Sequence, residues 1–478
     1  MLKKTSILLT EDKFAEQEDY IQKIKKLNVL FETEHRRPRY AFTQTYGCQQ
    51  NESDTEKING MLIKMGFVLV SEKNEADLIL LNTCAVREHA EQKVFGTVGA
   101  LVHLKKKNPS LIIAMCGCMV SQPHIRQQIR QKYKHVTFVF DTSAIWRFPE
   151  NLYNVFMGKD MLVDAGHDDG IVIEDIPVKR LSKYKAWVPI MTGCNNFCSY
   201  CIVPYVRGRE KSIKREDVLN EIEALVLSGY KEIVLLGQNV NSYHKDIDDS
   251  YDFADLLKDI NRIEGDFIVR FMTSHPKDAS HKLFDIMAEC HKIERHIHLP
   301  FQSGSDDILK SMNRKYTSGE YLALVEYARK KVPGITFTSD VIVGFPGESD
   351  DDFEKTLDLI RKVGFCGLYM FIYSKRKGTP AAKMENQVSD DDKKHRFMRL
   401  TELQRQVSEE FHRQFVGKSV RILSEGFVKN DHNMISGRTE ENIIVHAELS
   451  DRSVSEGEFV FVEITDSMNW ALKGKIKD

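Results

Sequence analysis

The chain has 478 residues, 68 Lys and Arg against 70 Asp and Glu, and a formal net charge of −2. That balance excludes nucleic-acid recognition by bulk charge, and no apolar run is long enough to cross a bilayer. Nine cysteines, an odd number at low density, fit metal ligation in a reducing cytoplasm rather than a disulfide scaffold.

The length allows about three domains, each with its own core. The amino-terminal apolar patch ends at Glu11 and Asp12, too short for a signal peptide. Residues 1–38 read as a charged arm with a helical look over 14–30, either a solvated helix or a partly ordered leader, and no assigned function. From 39 to about 161, short apolar strands alternate with helices, which implies a parallel sheet covered on both faces. Strands are predicted over 39–45, 76–81 and 111–115, with a helix opened by a capping box at Ser53 and Glu56 and another from about Glu88. In such a sheet the loops after the strands open on one edge, where ligands bind. Each of these three loops carries cysteine: Cys48, Cys84, and either Cys116 or Cys118. Cys116 lies at a strand end, where a small apolar side chain is buried, so Cys118 is the expected third member.

Residues 164–175 are acidic and glycine-punctuated and read as a linker. The basic run from Lys179 to Lys185, with Arg207, Arg209, Lys211, Lys214 and Arg215 beyond it, is expected to form a phosphate-binding rim. Between these clusters lies Thr192-Gly193-Cys194-Asn195-Asn196-Phe197-Cys198-Ser199-Tyr200-Cys201-Ile202-Val203-Pro204. Steps of four and three could put three cysteines on one helix face, but Gly193, Asn195-Asn196 and Pro204 favour a loop. Zinc normally takes four protein ligands in paired C-x-x-C spacing. Three thiolates on one loop can instead hold three irons of a [4Fe–4S] cluster and leave the fourth open to bind a ligand.

The chain then repeats strand, loop and helix, with strands predicted over 187–191, 232–236, 267–272, 296–299, 335–343 and 367–373. Such units form a complete or partial parallel barrel whose loops gather at one mouth. A long charged helix over 389–414 is expected to close the barrel or lead onward. Residues 416–477 read as a small antiparallel β-barrel. Cys290 and Cys366 read as packing residues. The fold class is therefore α/β, with domains expected at 39–165, 166–414 and 415–478 after the leader.

With the C-x-x-x-C-x-x-C loop placed after the first barrel strand, the sequence resembles the radical S-adenosylmethionine enzymes, and among them the methylthiotransferases. The resemblance covers nearly all of the chain after the leader. It rests on Thr43 to Cys48 with Asn51-Glu52-Ser53-Asp54, on Asn82 to Arg87, on Gly117-Cys118, and on Trp187 to Cys194 continuing to Pro204-Tyr205-Val206-Arg207-Gly208. The tail resembles a TRAM domain, which in this family helps hold RNA.

The resemblance implies that Cys194, Cys198 and Cys201 bind a cluster whose open iron chelates S-adenosylmethionine, and that one electron then yields a 5′-deoxyadenosyl radical. It implies that Tyr200 lies near the adenine, that Gly237 and Gln238 contact the methionine moiety, and that Ile342 meets the adenine face. Ile342 and Gly344 lie in an element resembling G-x-I-x-G-x-x-E, with Asp340 in place of its leading glycine. Cys48, Cys84 and Cys118 would ligate an auxiliary [4Fe–4S] cluster carrying the sulfur, and both open irons should face one cavity. The implied reaction adds a methylthio group at carbon 2 of an isopentenylated adenosine beside the anticodon (position 37). An unstacked loop base is a target a protein can reach. The implied partners are a tRNA anticodon stem-loop and an electron donor such as flavodoxin or ferredoxin, with a monomeric cytoplasmic enzyme and no membrane. Rival readings are a methylthiotransferase for threonylcarbamoyl-adenosine tRNA or for a ribosomal-protein aspartate, and a non-catalytic RNA-binding iron–sulfur protein.

Overall fold

A computed structural model describes residues 11–85, 88–159, 162–165, 176–248, 250–449 and 453–477. The first ten residues, Val86, Arg87 and nearly all of the expected acidic linker lie outside the described residues. The chain divides into two compact units, Met1–Leu181 with Thr192–Asn195 and Cys201–Lys211, and Ser182–Met191 with Asn196–Tyr200 and Ser212–Asp478.

The first unit contains α1 (Glu11–His35), β1 (Tyr40–Thr45), α2 (Gln49–Lys64), β2 (Val68–Leu69), β3 (Leu78–Thr83), α3 (Glu88–Lys107), β4 (Ile112–Gly117), α4 (Pro123–Lys132), β5 (Phe138–Phe140), α5 (Phe148–Phe156) and β6 (Leu162–Asp164). The strands form one parallel sheet in the order β2-β1-β3-β4-β5-β6. Successive side chains of a strand point to opposite faces, and here both faces are apolar. Leu78 and Leu80 pack with Ile58 and Phe140 on one side, Ile79 and Leu81 with Val98 and Met115 on the other.

Two expectations change here. Helix α2 starts at Gln49, four residues before Ser53, with Cys48 in extended conformation as its N-cap. Ser53 and Glu56 are buried inside the helix. The Glu56 carboxylate accepts from Arg180 at 2.9 Å and from the Leu181 backbone N–H at 2.8 Å, so it anchors a later segment instead of capping its own helix. Nor is the leader helix solvated on every side. Ile21, Ile24 and Asn28 of α1 are buried, and Asn28 Nδ2 donates to the Met65 carbonyl at 2.8 Å.

Two-residue strands β8 (Met191–Thr192) and β9 (Lys211–Ser212) bracket the cysteine loop, and α6 (Val203–Arg207) follows it. The second unit opens with β7 (Lys185–Pro189). It continues through α7 (Arg215–Leu227), β10 (Glu232–Leu236), α8 (Phe253–Asn261), β11 (Ile268–Phe271), α9 (His281–Glu289), β12 (His296–His298), α10 (Asp306–Ser311), α11 (Ser318–Lys331), β13 (Thr336–Val343), α12 (Asp350–Val363), β14 (Gly367–Ile372) and α13 (Asp390–Arg413). Its six long strands make two parallel three-stranded sheets, β7-β10-β11 and β12-β13-β14. A parallel bridge between Val269 and Ile293 continues the first sheet toward the second, giving a partial barrel. One core fills it, including Val188, Leu235, Phe271, Ile297, Val341 and, from α13, Leu400. Cys290 belongs to that core, and Cys366 lies just before β14 with its Sγ 3.2 Å from the Phe337 carbonyl, as packing residues do.

The carboxyl-terminal strands β15 (Ser419–Val428), β16 (Asp431–Thr439), β17 (Ile444–Glu448), β18 (Phe459–Ser467) and β19 (Leu472–Ile476) close into a barrel in the order β15-β16-β17-β19-β18. All its pairings are antiparallel except β17 with β19, which is parallel. Arg270 Nη2 donates to the Thr439 carbonyl at 2.9 Å, and the Arg295 N–H donates to the Glu440 carbonyl at 3.0 Å, so the small barrel is bonded to the larger one.

Candidate metal and cofactor site

In the first unit, three strands end in cysteine-bearing loops, and buried amides stitch these loops together. Asn51, in the first turn of α2, accepts from the Cys48 thiol at 3.3 Å and donates through Nδ2 to Asn82 Oδ1 at 2.9 Å. Asn82, at the end of β3 and fully buried, returns a bond to the Asn51 carbonyl at 2.8 Å and donates to Thr55 Oγ1 at 3.0 Å. Thr83 Oγ1 donates to the Cys116 carbonyl at 2.5 Å. Glycine permits the crowding. A Cβ on Gly47 would lie 2.6 Å from Asn51 Oδ1 and 3.0 Å from Cys84 Cβ. Gly117 has a φ of +97° and no room for a Cβ beside the Thr83 backbone.

The two rival cysteines of β4 separate clearly. Cys116 lies within the strand, fully buried among Leu78, Leu80 and Phe140. Cys118 lies past the strand end, packed with Ala85, Ile202 and Val206. Arg207 Nε donates to its Sγ at 3.0 Å, while Arg207 Nη2 pairs with Asp54 Oδ2 at 2.9 Å. Burial pushes the Cys118 thiol up to about 12; Arg207 pulls the other way, and Cys84 and Cys48 push it further up. Cys48, Cys84 and Cys118 are thus electrostatic neighbours. Metal ligation takes the proton from such a thiol, since the ligand is the thiolate.

The C-x-x-x-C-x-x-C segment is a loop. Gly193 has a φ of +74°, and the Cys194 N–H donates to the Gly208 carbonyl at 3.1 Å. Only six residues lie between Cys194 and Cys201, so connectivity alone keeps the three thiols close. Phe197, between Cys194 and Cys198, has a φ of +47°. Cys194 and Cys198 are buried and Cys201 is half-buried. Arg314 Nη1 donates to Cys198 Sγ at 3.5 Å, its Nε to the Tyr316 hydroxyl at 3.0 Å, and its Nη2 to the Pro300 carbonyl at 2.6 Å.

The other predicted contacts lie on loops and strand ends of the partial barrel. Tyr200 packs in one apolar cluster with Ile342, Phe345 and Tyr373. Gly237 directly follows β10; a Cβ there would lie 2.6 Å from Met191 Cγ, and its carbonyl accepts from Thr273 Oγ1 at 2.7 Å. Gln238 is half-buried beside it. Gly344 has a φ of +72°, and its N–H donates at 2.7 Å to Glu348, which also pairs with Arg396 at 2.8 Å. Burial raises the Glu348 carboxyl, and the Gly344 N–H and Arg396 only partly offset it. Asp340 lies inside β13, with His298 Nε2 3.5 Å from its carboxylate.

The donor chemistry fits the groups implied by the sequence. Each trio offers three sulfurs and no disulfide. No three His, Cys, Asp or Glu side chains among the described residues converge on a single-ion site. A cube differs, because each thiolate takes its own iron. In the loops after β10, β11 and β12, Asn239 Oδ1, both amide atoms of Asn241, Ser274 Oγ and Gln302 Oε1 are buried without a hydrogen-bond partner. Thr273 and Gln302, on the last two of those loops, hold positive φ values of 67° and 65°. Orphaned polar groups and backbone strain at one barrel end mark a site for a polar ligand.

Sequence reasoning missed Arg314 altogether and misassigned Arg207. Arg180, Lys185 and Arg207 are not free rim charges: Arg180 pairs with Glu56, Lys185 with Glu232, and Arg207 with Asp54. Arg215 is likewise paired, with Asp259.

The Radical SAM superfamily matches residues 188–360, and the Uncharacterized protein family UPF0004 matches residues 40–141. The tRNA-2-methylthio-N(6)-dimethylallyladenosine synthase of Acetivibrio thermocellus is 47% identical over 471 residues, covering 98% of this chain and 98% of that one. The chain belongs to this family. The synthases of Clostridioides difficile (46% identical, 99% of each chain) and Alkaliphilus oremlandii (45% identical, 100% of this chain and 99% of that one) are similar over the same extent. Among solved structures, the radical S-adenosylmethionine methyltransferase TsrM from Kitasatospora setae, with cobalamin and a [4Fe-4S] cluster bound, aligns with a TM-score of 0.55 and 13% identity over 72% of this chain and 77% of that one. The cobalamin-dependent S-adenosylmethionine radical enzyme OxsB aligns at 0.51 and 14% over 69% and 52%. These two likenesses are likenesses of fold.

Proposed function

We propose that this chain is a radical S-adenosylmethionine tRNA methylthiotransferase that places a methylthio group on carbon 2 of N6-isopentenyladenosine at position 37, beside the anticodon. The observation that carries the reading is the joining of three strand-end loops by Asn51, Asn82 and Thr83, which collects Cys48, Cys84 and Cys118 in a chain already carrying the C-x-x-x-C-x-x-C loop. Similarity to the named synthases over nearly the full length supports the same conclusion.

Cys194, Cys198 and Cys201 would hold the [4Fe–4S] cluster that binds S-adenosylmethionine, and Cys48, Cys84 and Cys118 the auxiliary one. Together these groups supply one-electron chemistry at an unreactive C–H bond and the sulfur that replaces the hydrogen. The protein's part is placement. Tyr200 and Ile342 offer one apolar surface to the adenine of the cofactor. Gly237 and Gln238 would face the methionine moiety, and Glu348 holds the Gly344 turn that follows β13. Buried surroundings around Cys194 and Cys198 exclude water from the radical chemistry. The carboxyl-terminal barrel acts as a TRAM domain that helps hold RNA. The electron comes from a flavodoxin- or ferredoxin-type donor, and the enzyme works as a cytoplasmic monomer. None of the described helices is long and apolar enough to cross a membrane.

Mass spectrometry of tRNA nucleosides from cells lacking and carrying the protein tests this reading. The methylthiolated isopentenyladenosine should appear only with the protein. Methylthio label on a protein aspartate, or on threonylcarbamoyl-adenosine, with none on isopentenyladenosine overturns it.

A further inference from the structure

Each sulfur trio has a buried arginine donating to one of its members, and the two arginines differ in what balances their charge. Arg207 is bonded to Cys118 and to Asp54, and its side chain and that of Asp54 are almost fully buried. Its guanidinium and the Asp54 carboxylate cancel, leaving a hydrogen-bond donor on the sulfur with little net charge. Arg314 is equally buried, yet its oxygen partners are the Tyr316 hydroxyl and the Pro300 carbonyl, both neutral. No carboxylate pairs with Arg314 among the described residues. A full positive charge therefore stands beside Cys198.

A [4Fe–4S] core in its oxidised 2+ state with three thiolates carries a net charge of about −1, and a one-electron reductant adds one more negative charge. Hydrogen bonds to the sulfurs and nearby charge set how favourable that addition is. A buried cation within bonding distance favours the reduced state, and a neutral ion pair does so far less. We propose that Arg207 and Arg314 are positioning residues that set the reduction potentials of the two clusters independently, Arg314 through an unbalanced charge and Arg207 through a hydrogen bond whose charge Asp54 cancels. The planar fork matters at Arg207, whose Nε bonds the sulfur while its Nη2 is held by Asp54.

The inference holds only if both trios carry clusters, so iron and sulfide are counted first on anaerobically reconstituted full-length protein. Each cluster's midpoint potential is then read by electron paramagnetic resonance during a mediated titration with titanium(III) citrate. The C48A/C84A/C118A background isolates the radical cluster, and C194A/C198A/C201A the auxiliary one. Arg314→Gln should move the radical cluster to more negative potential and leave the auxiliary midpoint in place. Asp54→Asn, close in shape to the native side chain, should move the auxiliary midpoint to more positive potential and leave the radical one in place. Arg314→Lys, which keeps the charge, should recover most of the potential lost in Arg314→Gln. Variants that keep full iron but leave both midpoints unmoved, or that move both together, overturn the proposal. Wild-type protein with iron for only one cluster would instead overturn the functional reading beneath it.

Discussion

Gly117→Ala tests whether backbone geometry, and not only the thiols, builds the auxiliary site. Gly117 has a φ of +97°, and an added Cβ would lie 2.8 Å from the Thr83 N and closer still to the Thr83 carbonyl oxygen. Left-handed backbone costs an L-residue about 1–2 kcal/mol. Overpacking against a paired strand adds about 1–3 kcal/mol. The neighbouring atoms are backbone of β3, held in register with β4, so neither can move cheaply. The sum, about 2–5 kcal/mol, corresponds to a fall of roughly 4–20 °C in melting temperature for a unit of this size. If the strand shifts to relieve the clash, Cys118 leaves its place and the auxiliary trio is broken. Thermal unfolding by circular dichroism should show the fall, iron content should drop toward that of one cluster, and 5′-deoxyadenosine should still form from S-adenosylmethionine. Gly96→Ala is the control, because Gly96 lies within α3 with open space around it. There alanine should be neutral or slightly stabilising. A Gly117→Ala protein with full iron and an unchanged melting temperature would refute the reasoning.

Cys198→Ala should abolish all 5′-deoxyadenosine formation, whereas Cys118→Ala should leave cofactor cleavage intact and stop methylthio transfer, both read by liquid chromatography of the products. Cys116→Ala should keep iron for both clusters and cost on the order of 1 kcal/mol through a small core cavity; loss of auxiliary iron in it, but not in Cys118→Ala, would exchange the two assignments. Asn82→Ala leaves buried partners on Asn51 and Thr55 unpaired, a loss of about 1–3 kcal/mol, and should lower auxiliary iron without touching a ligand. Burial alone would raise the Glu232 carboxyl, but Arg270 and Lys185 outweigh it and hold it below its ordinary value. The resulting stability is present above the unfolded pKa of about 4.3 and is lost as pH falls through the depressed folded value. The melting-temperature deficit of Glu232→Gln should therefore be largest near neutrality and shrink below about pH 4.

Most strands were legible because they are continuous apolar runs, which a sheet covered on both faces requires. The run at 232–236 coincides with β10, and 335–343 begins one residue before β13. The start of α2 was not legible. Ser53 and Glu56 have capping-box spacing, but Cys48 to Asn51 already turn into helix because their polar groups are satisfied by Asn82 and Thr83, some thirty residues later. Polarity that points inward looks, in sequence, like polarity that points to water. The burial of α1 was hidden the same way, since Ile21, Ile24 and Asn28 make a thin stripe in a strongly charged helix. Arg207 and Arg314 meet their sulfurs across 89 and 116 residues, and no local pattern records such a partner.

The two trios differ in how they depend on the rest of the fold. The loop from Cys194 to Cys201 carries all three thiols in one short run, with Gly193 in the left-handed region and Cys194 bonded to Gly208, while Met312 and Asn313 brace it from afar. Motif reading finds such a site because spacing and site are the same thing. The trio of Cys48, Cys84 and Cys118 exists only through register. Thr45 of β1 pairs with Asn82 of β3, and Thr83 of β3 pairs with Gly117 of β4, so each cysteine emerges one to three residues past an aligned strand end. A slip of one residue in β3 would reverse the faces of Leu78 to Leu81, bring the wrong side chains to the edge and unmake the Asn51–Asn82 bonds. The apolar packing that fixes the register is thus what brings Cys48, Cys84 and Cys118 to one edge. Substitutions deep in that sheet, far from any sulfur, should cost auxiliary iron before they cost the radical chemistry.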